Sequence, residues 1–348
     1  MDRAFLTLYA NGPDSLEKIE RRIRTTQNML TGNRDDEVFF AENLTLVRNH
    51  FLENPLKSGS IAVFACWAIN FFQAHPLKVE VPDLLWVGPS PYIRPLARLQ
   101  DDFEDFAVVI ADNTRARIHL VTSQTAGESE TVAGNIKNHV RKGGWSQQRY
   151  ERRRDKQLGA YAKEIVAALE ELDKSHEFDR IVAVGSKETL REIENRMPKP
   201  LLEKLVATKN LDLGMSESDL EQEILDLFTA AERRAELKLW EHIKSEYMQQ
   251  GRAAVGIIDV LHCVQQGRAD QVAIAQDVQI DGYKCRNCGH VDIGLPKCCS
   301  SCGSPEIYGV DLVNVITESA MTTSAKIDFM KNVPGLIKVG SIAALLRY

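Results

Sequence analysis

The chain of 348 residues has no run of eighteen apolar residues, which excludes a membrane-spanning helix at the level of sequence. Its opening, MDRAFLTLYANGPDS, lacks the basic, apolar and small-residue succession of a secretory leader, so a cytoplasmic protein with no membrane partner is expected. Cysteine is scarce outside one segment: five of the seven lie between Cys285 and Cys302, and Cys66 and Cys263 stand alone. That distribution excludes a disulfide framework spread along the chain. Positive charge has no overall excess, since 43 Lys and Arg against 49 Asp and Glu give a net charge of -6. DNA is therefore excluded as a partner coated through general basicity, and nucleic-acid contact is confined to local patches. Internal repeats and low-complexity tracts are absent. RIVAVGS (180–186) ends on one glycine, Gly185, where a dinucleotide fingerprint needs several, so Ser186 reads as a helix N-cap. No carboxylates stand at metal-binding spacing, which leaves a metal-dependent nuclease without support.

What is present is ordinary for a folded protein: 44% hydrophobic and 26% charged residues, in a chain long enough for two or three domains. The pattern predicts a multidomain α/β (α+β) protein. An N-terminal α/β domain (1–104) opens with the strand AFLTLYA and a turn at Asn11-Gly12-Pro13. A helix follows, capped by Ser15 and carried by Leu16, Ile19 and Ile23. A second helix is expected from Phe39 to Leu52, then the strand SIAVFACW. The middle domain (105–232) starts with DFAVVIADNTRARIHLV, two β-rich runs joined across Ala111-Asp112-Asn113-Thr114, and continues with a long helix near 146–172 and the strand RIVAVGS. The segment 217–250 is polar and helical, with an apolar face of Leu220, Ile224, Leu225, Leu227 and Phe228. The C-terminal α/β/α domain (233–348) contains a helix, a glycine stop and a strand in AAVGIIDVLHCVQQGRADQVAIA.

Inside that last domain, Cys285-x2-Cys288, ten residues, then Cys299-x2-Cys302 is the spacing of an inserted zinc ribbon, here 283–305. Gly289 and Gly303 follow the knuckles and let the backbone turn back over a metal. Four thiolate ligands close the coordination shell, so the zinc is structural; spacing alone also admits iron, and Cys298 is a neighbouring alternative in the second knuckle.

The densest positive charge lies in HVRKGGWSQQRYERRRDK (139–156). Lys137, Arg141, Lys142, Arg149, Arg152, Arg153, Arg154 and Lys156 are interrupted only by Glu151 and Asp155. On a helix starting near Ser146, Arg149, Arg152, Arg153 and Lys156 share a face suited to a phosphate backbone. Gly143-Gly144 lets the backbone approach a ligand where a side chain would block it.

Gly143-Gly144-Trp145-Ser146-Gln147-Gln148-Arg149-Tyr150, with Arg152 and Arg153 after it, resembles the Gly-Gly-Gln loop and basic helix of archaeal and eukaryotic class-1 peptide-chain release factors. LTLYANGPDSLEKIERRI, VVIADNTRARIHLV, RIVAVGSKETLREI, VLHCVQQGRADQVAIA and GSIAALLRY extend the resemblance over nearly the whole chain. It implies a decoding-like N-terminal domain, a ribonuclease-H-like middle domain, a ribosomal-protein-like C-terminal domain and a loop that enters the ribosomal peptidyl-transferase centre. The implied partners are the ribosome, through ribosomal RNA and peptidyl-tRNA, and a translational GTPase docking on the C-terminal domain.

Two departures shape the functional expectation. Trp145 stands where the family has its catalytic glutamine, and Gly144-Trp145-Ser146-Gln147 is similar to the Gly-x-x-Gln variant of release-factor-like peptidyl-tRNA hydrolases. Gly143, Gly144 and Gln147 are then the catalytic set. Lys137, Arg141, Lys142, Trp145, Arg149, Arg152, Arg153 and Lys156 are the RNA-binding set. The codon-reading Asn-Ile-Lys-Ser motif is replaced by Gln27-Asn28-Met29-Leu30-Thr31, and WVGPSPYIRP holds the place of the Tyr-x-Cys-x-x-x-Phe motif. The expected function is ribosome rescue or quality control by hydrolysis of the peptidyl-tRNA ester without standard stop-codon reading. The alternatives are a non-catalytic rescue factor that recruits a partner and a codon-dependent release factor with altered decoding residues.

Overall fold

The computed structural model describes residues 4–77, 79–102, 105–121, 130–131, 136–137 and 147–348. They form a mixed α/β protein of two compact units, Met1–Asp101 with Leu239–Tyr348, and Asp102–Lys238. No helix among them is long and apolar enough to cross a membrane.

The N-terminal part of the first unit runs β1 (Phe5–Asn11), α1 (Ser15–Leu30), α2 (Arg34–Glu53), β2 (Ser60–Cys66), β3 (Phe71–Leu77), β4 (Leu84–Gly88) and α3 (Arg94–Asp102). Its strands form an antiparallel sheet in the order β3-β2-β1-β4. Alternation along β1 divides the core. Leu6, Leu8 and Ala10 pack with Ile19 and Ile23 of α1 and Phe40, Leu44 and Val47 of α2. Tyr9, on the other face, packs with Phe64, Val81 and Leu96. Two helix starts differ from the sequence expectation. Asp14, not Ser15, holds the N-cap position of α1. Helix α2 begins five residues before Phe39 because Asn33 accepts from the Asp36 N–H and Asp35, Asp36 and Glu37 occupy the first turn, where the helix dipole favours anions.

The second unit contains β5 (Phe106–Ala111), β6 (Arg115–Val121), β7 (Glu130–Thr131), β8 (Ile136–Lys137), α4 (Gln147–Ser175), β9 (Arg180–Gly185), α5 (Lys187–Glu194), α6 (Lys199–Lys204), β10 (Leu205–Asn210) and the first two-thirds of α7 (Glu217–Met248). The sheet order is β10-β9-β5-β6-β7, with β8 also on β6; β5, β9 and β10 run parallel, and β5–β6 is the expected hairpin. One face is covered by Leu158, Tyr161, Ala162, Ile165, Leu169 and Leu172 of α4 at helical spacing. The other meets Ile224, Phe228 and Ala231 of α7, where the Phe106 and Phe228 rings stack at 4.3 Å. Ser186 caps α5 by accepting from the Thr189 N–H. Gly185 has φ +139°, and a Cβ there would lie 1.8 Å from the Ala111 carbonyl oxygen, so the β9–α5 turn requires glycine.

The C-terminal part of the first unit adds β11 (Ala253–Val255), α8 (Ile257–Gln265), β12 (Ala269–Ala275), β13 (Asp281–Cys285), β14 (Val291–Ile293), β15 (Ile307–Asp311), α9 (Leu312–Thr322), β16 (Lys326–Met330), α10 (Pro334–Lys338) and β17 (Ile342–Leu346). The sheet β11-β17-β12-β16 buries Val260, Leu261, Val264, Leu312 and Ile316 of α8 and α9 on one face. Trp240 and Ile243 of α7 and Leu336 of α10 lie on the other. A separate antiparallel sheet, β14-β13-β15, carries the cysteines.

Candidate functional site

The four spaced cysteines converge. The Sγ atoms of Cys285, Cys288, Cys299 and Cys302 all lie within 4.8 Å of one another, and Cys298 is outside this set. Cys285 to Cys302 and Cys288 to Cys299 are each 3.6 Å. A tetrahedral Zn2+ with sulfur ligands at about 2.3 Å requires sulfurs about 3.8 Å apart, so this donor set fits a metal of that size. The two knuckles are built alike. Gly289 N–H donates to the Cys285 carbonyl and Gly303 N–H to that of Cys299, both at 2.9 Å; Cys285 N–H and Cys299 N–H donate to the His290 and Ser304 carbonyls, both at 2.8 Å. Gly289 and Gly303 have φ of +74° and +73°, the left-handed turn each knuckle needs.

The thiols of the cluster are pushed apart in pKa: Cys288, hydrogen-bonded to its neighbouring thiols, is raised to about 12, while donors favour thiolate at Cys302. The Ser304 backbone N–H, with the Asn287 amide 3.7 Å from the sulfur, pulls the Cys302 thiol down to about 6. Below the cluster Ser300 Oγ meets Tyr283 OH at 2.8 Å and His290 Nε2 at 3.1 Å and donates to Asp292 at 3.2 Å. These residues brace the knuckles, and sequence spacing gives no signal for them because Tyr283 and Ser300 meet only once the ribbon has folded.

Of the residues expected in the basic loop, Arg141, Lys142, Gly143, Gly144 and Trp145 lie outside the described residues. Gln147 is the first residue of α4, which also carries Arg149, Arg152, Arg153 and Lys156. Lys137 ends β8, paired in register with Arg115 of β6. Lys156 is exposed. Arg154 turns to an ion pair with Glu188 of α5, leaving it out of the shared face. The first four N–H groups of α4 have no intrahelical acceptor, and the helix dipole places positive potential where Gln147 stands.

A polar cluster that sequence reading missed joins the two parts of the first unit. Tyr92 OH donates to Asp311 Oδ2 at 2.9 Å, and Arg94 pairs with the same carboxylate at 3.5 Å. Asn314 Oδ1 accepts from the Ile93 and Arg94 N–H groups, while its Nδ2 donates to Glu318, which also accepts from Ser90 Oγ at 2.6 Å. Burial and the Asp311 charge push the Tyr92 phenol up to about 12, and burial raises the Glu318 carboxyl.

The chain is similar to archaeal and eukaryotic-type release factors along nearly its whole length. The family described as bacterial archaeo-eukaryotic release factor family 10 matches residues 91–233. Peptide chain release factor subunit 1 of Archaeoglobus fulgidus is 21% identical over 99% of this chain and 92% of its own length. The protein of the same name from Methanococcoides burtonii is 22% identical over 74% of this chain and 69% of its own. Dom34 of S. cerevisiae, a translation termination-like factor of RNA quality control that interacts with Hbs1, aligns with 83% of this chain and 79% of its own at 11% identity and a TM-score of 0.46.

Proposed function

We propose that the protein hydrolyses the ester of peptidyl-tRNA on the ribosome, freeing nascent chains in rescue or quality control without reading a standard stop codon. The observation that carries this reading is Gln147 at the first position of α4, three residues after Gly144 and directly before the basic turn. Free N–H groups at a helix start suit an oxyanion, and a glutamine amide there orients a water toward the ester carbonyl. The ester is already activated and the ribosome excludes solvent, so positioning supplies most of the rate. Lys137, Arg141, Lys142, Trp145, Arg149, Arg152, Arg153 and Lys156 hold RNA, the cations on phosphates and the indole on a base.

The order of the middle sheet, three successive antiparallel strands followed by two parallel to the first, supports a ribonuclease-H-like domain at 105–232. The four thiolates hold one structural Zn2+, which ties the ribbon together and leaves no open position for chemistry. The cytoplasm is the setting, with the ribosome as main partner and a translational GTPase on the C-terminal domain. Trp145 at the family's glutamine position favours one second reading, a non-catalytic factor that recruits a partner. Release of labelled peptide from stalled ribosomes, with sense or stop codons in the A site, separates them. Equal release on both codons supports the hydrolase; release on stop codons alone identifies a codon-dependent factor. Tight binding with no release identifies recruitment.

A further inference from the structure

Helix α4 begins well before its described contact with the core. Among the described side chains, Leu158 is the first of α4 to enter that core, followed by Tyr161 and Ala162; Arg154, Asp155 and Lys156 are exposed. Gln147, the first residue of the helix, precedes Leu158 by about 16 Å along the axis, at about 1.5 Å per residue. An arm of that length magnifies small errors: a tilt of about 10° at Leu158 moves Gln147 by about 3 Å. Misplacement by about 1 Å already costs a positioned reaction about 100-fold. Two contacts with the α5 region bear on the direction of the arm. Arg154 pairs with Glu188 in the first turn of α5, both side chains about half exposed. At Gly159 a Cβ would lie 2.6 Å from Arg196 Nη2, so the guanidinium just past α5 approaches the α4 backbone where another side chain would intervene. Arg196 is itself held by the Glu192 carboxylate and carbonyl. The Gly159 contact lies at the root of the arm, and Arg154 stands about 6 Å farther out. An exposed ion pair shifts a population by about two- to fivefold, too little to hold a fold and enough to bias the direction of a helix end.

We propose that Arg154 is a positioning residue: its ion pair with Glu188 sets the direction of the first turns of α4 and, through them, the place of Gln147. This rests on the reading of Gln147 as the residue that orients water. It also gives a role to a cation that, within the basic run 149–156, turns to a carboxylate of its own chain.

The test is a charge swap in the full chain, read by single-turnover release of labelled peptide from stalled ribosomes, by ribosome affinity and by hydrogen exchange. Glu188→Arg puts two cations together. It is expected to lower the release rate about tenfold without weakening ribosome binding, and to speed amide exchange at 151–157 about threefold with 160–172 unchanged. Adding Arg154→Glu reverses the pair and is expected to return both readouts to within about twofold of wild type. A role of Arg154 on RNA predicts the opposite pattern. Glu188→Arg, which frees Arg154, then keeps or raises the rate, and the swap, which removes it, weakens ribosome binding and stays slow. Either of those results overturns the proposal, as does unchanged exchange at 151–157 in Glu188→Arg. If wild type releases no peptide, the reading of Gln147 falls by itself, and exchange decides whether the pair holds the helix end.

Discussion

The cysteine cluster and the polar cluster around Asp311 are two places in the first unit where buried or half-buried polar atoms carry the structure, and they do so by opposite means. The cysteines converge from one segment of eighteen residues, braced by backbone hydrogen bonds within each knuckle. The Asp311 cluster draws on residues more than two hundred positions apart, and every member finds its partner in the chain itself. The first arrangement leaves four sulfurs facing one another with little apolar core: Tyr283, Cys285 and Cys299 are its buried members, with Ile307 packed against them. The second is complete without a ligand. A small cysteine-bearing sheet with so little core would depend on a metal held by its four sulfurs, whereas a satisfied polar network is rigid on its own.

The widest separation between the two comes from chelation. Removing the metal, or substituting Cys285→Ser with Cys302→Ser, is expected to abolish amide protection across 283–305, a metal-linked loss on the order of 10 kcal/mol. Protection at 90–94 and 312–318 should survive; hydrogen exchange reads both, and simultaneous loss would show that the two regions fold as one. Next in size, Asp311→Ala strands the Tyr92 hydroxyl, removes the carboxylate partner of Arg94 and removes the α9 cap, at a cost of about 3 kcal/mol in denaturant titration. Tyr92→Phe, which deletes one hydrogen bond and leaves the stack on Trp86, should cost about 1 kcal/mol.

The smallest effect is one of pH. Burial raises the Glu318 pKa above its unfolded value, so the stability tied to the neutral carboxyl is present below the unfolded pKa and is lost as pH rises through the folded one. Glu318→Gln keeps the acceptor for Ser90 and Asn314. It should therefore match wild type near pH 4 and exceed it in melting temperature at pH 8, and an equal difference at both pH values would rule out the carboxyl.

These two regions also mark what sequence can carry. CxxC spacing, and the glycines after each pair, act over a few residues, so the convergence of the four cysteines could be read before folding. The hairpin around Asp112, the Ser186 cap and the glycine stop at Gly267 are equally local and equally legible. Asn314 offers no such signal: it is one of several polar residues of α9 until the chain between β4 and α3 brings the backbone of 93 and 94 against it. Strand β3, with Pro76 inside it, was not legible either, because proline argues against a strand unless the strand lies at a sheet edge, as this one does. For the loop from Arg141 to Trp145, the resemblance to release factors remains the basis of the assignment, and the start of α4 at Gln147 is what the structure adds.

Single-turnover release of labelled peptide from stalled ribosome–nascent-chain complexes, wild type against Gln147→Ala, bears most directly on the central claim. The account predicts a rate lowered about 100-fold or more with ribosome affinity unchanged, as for loss of one positioned polar group at an ester-cleaving site. Equal release by the two proteins would contradict it.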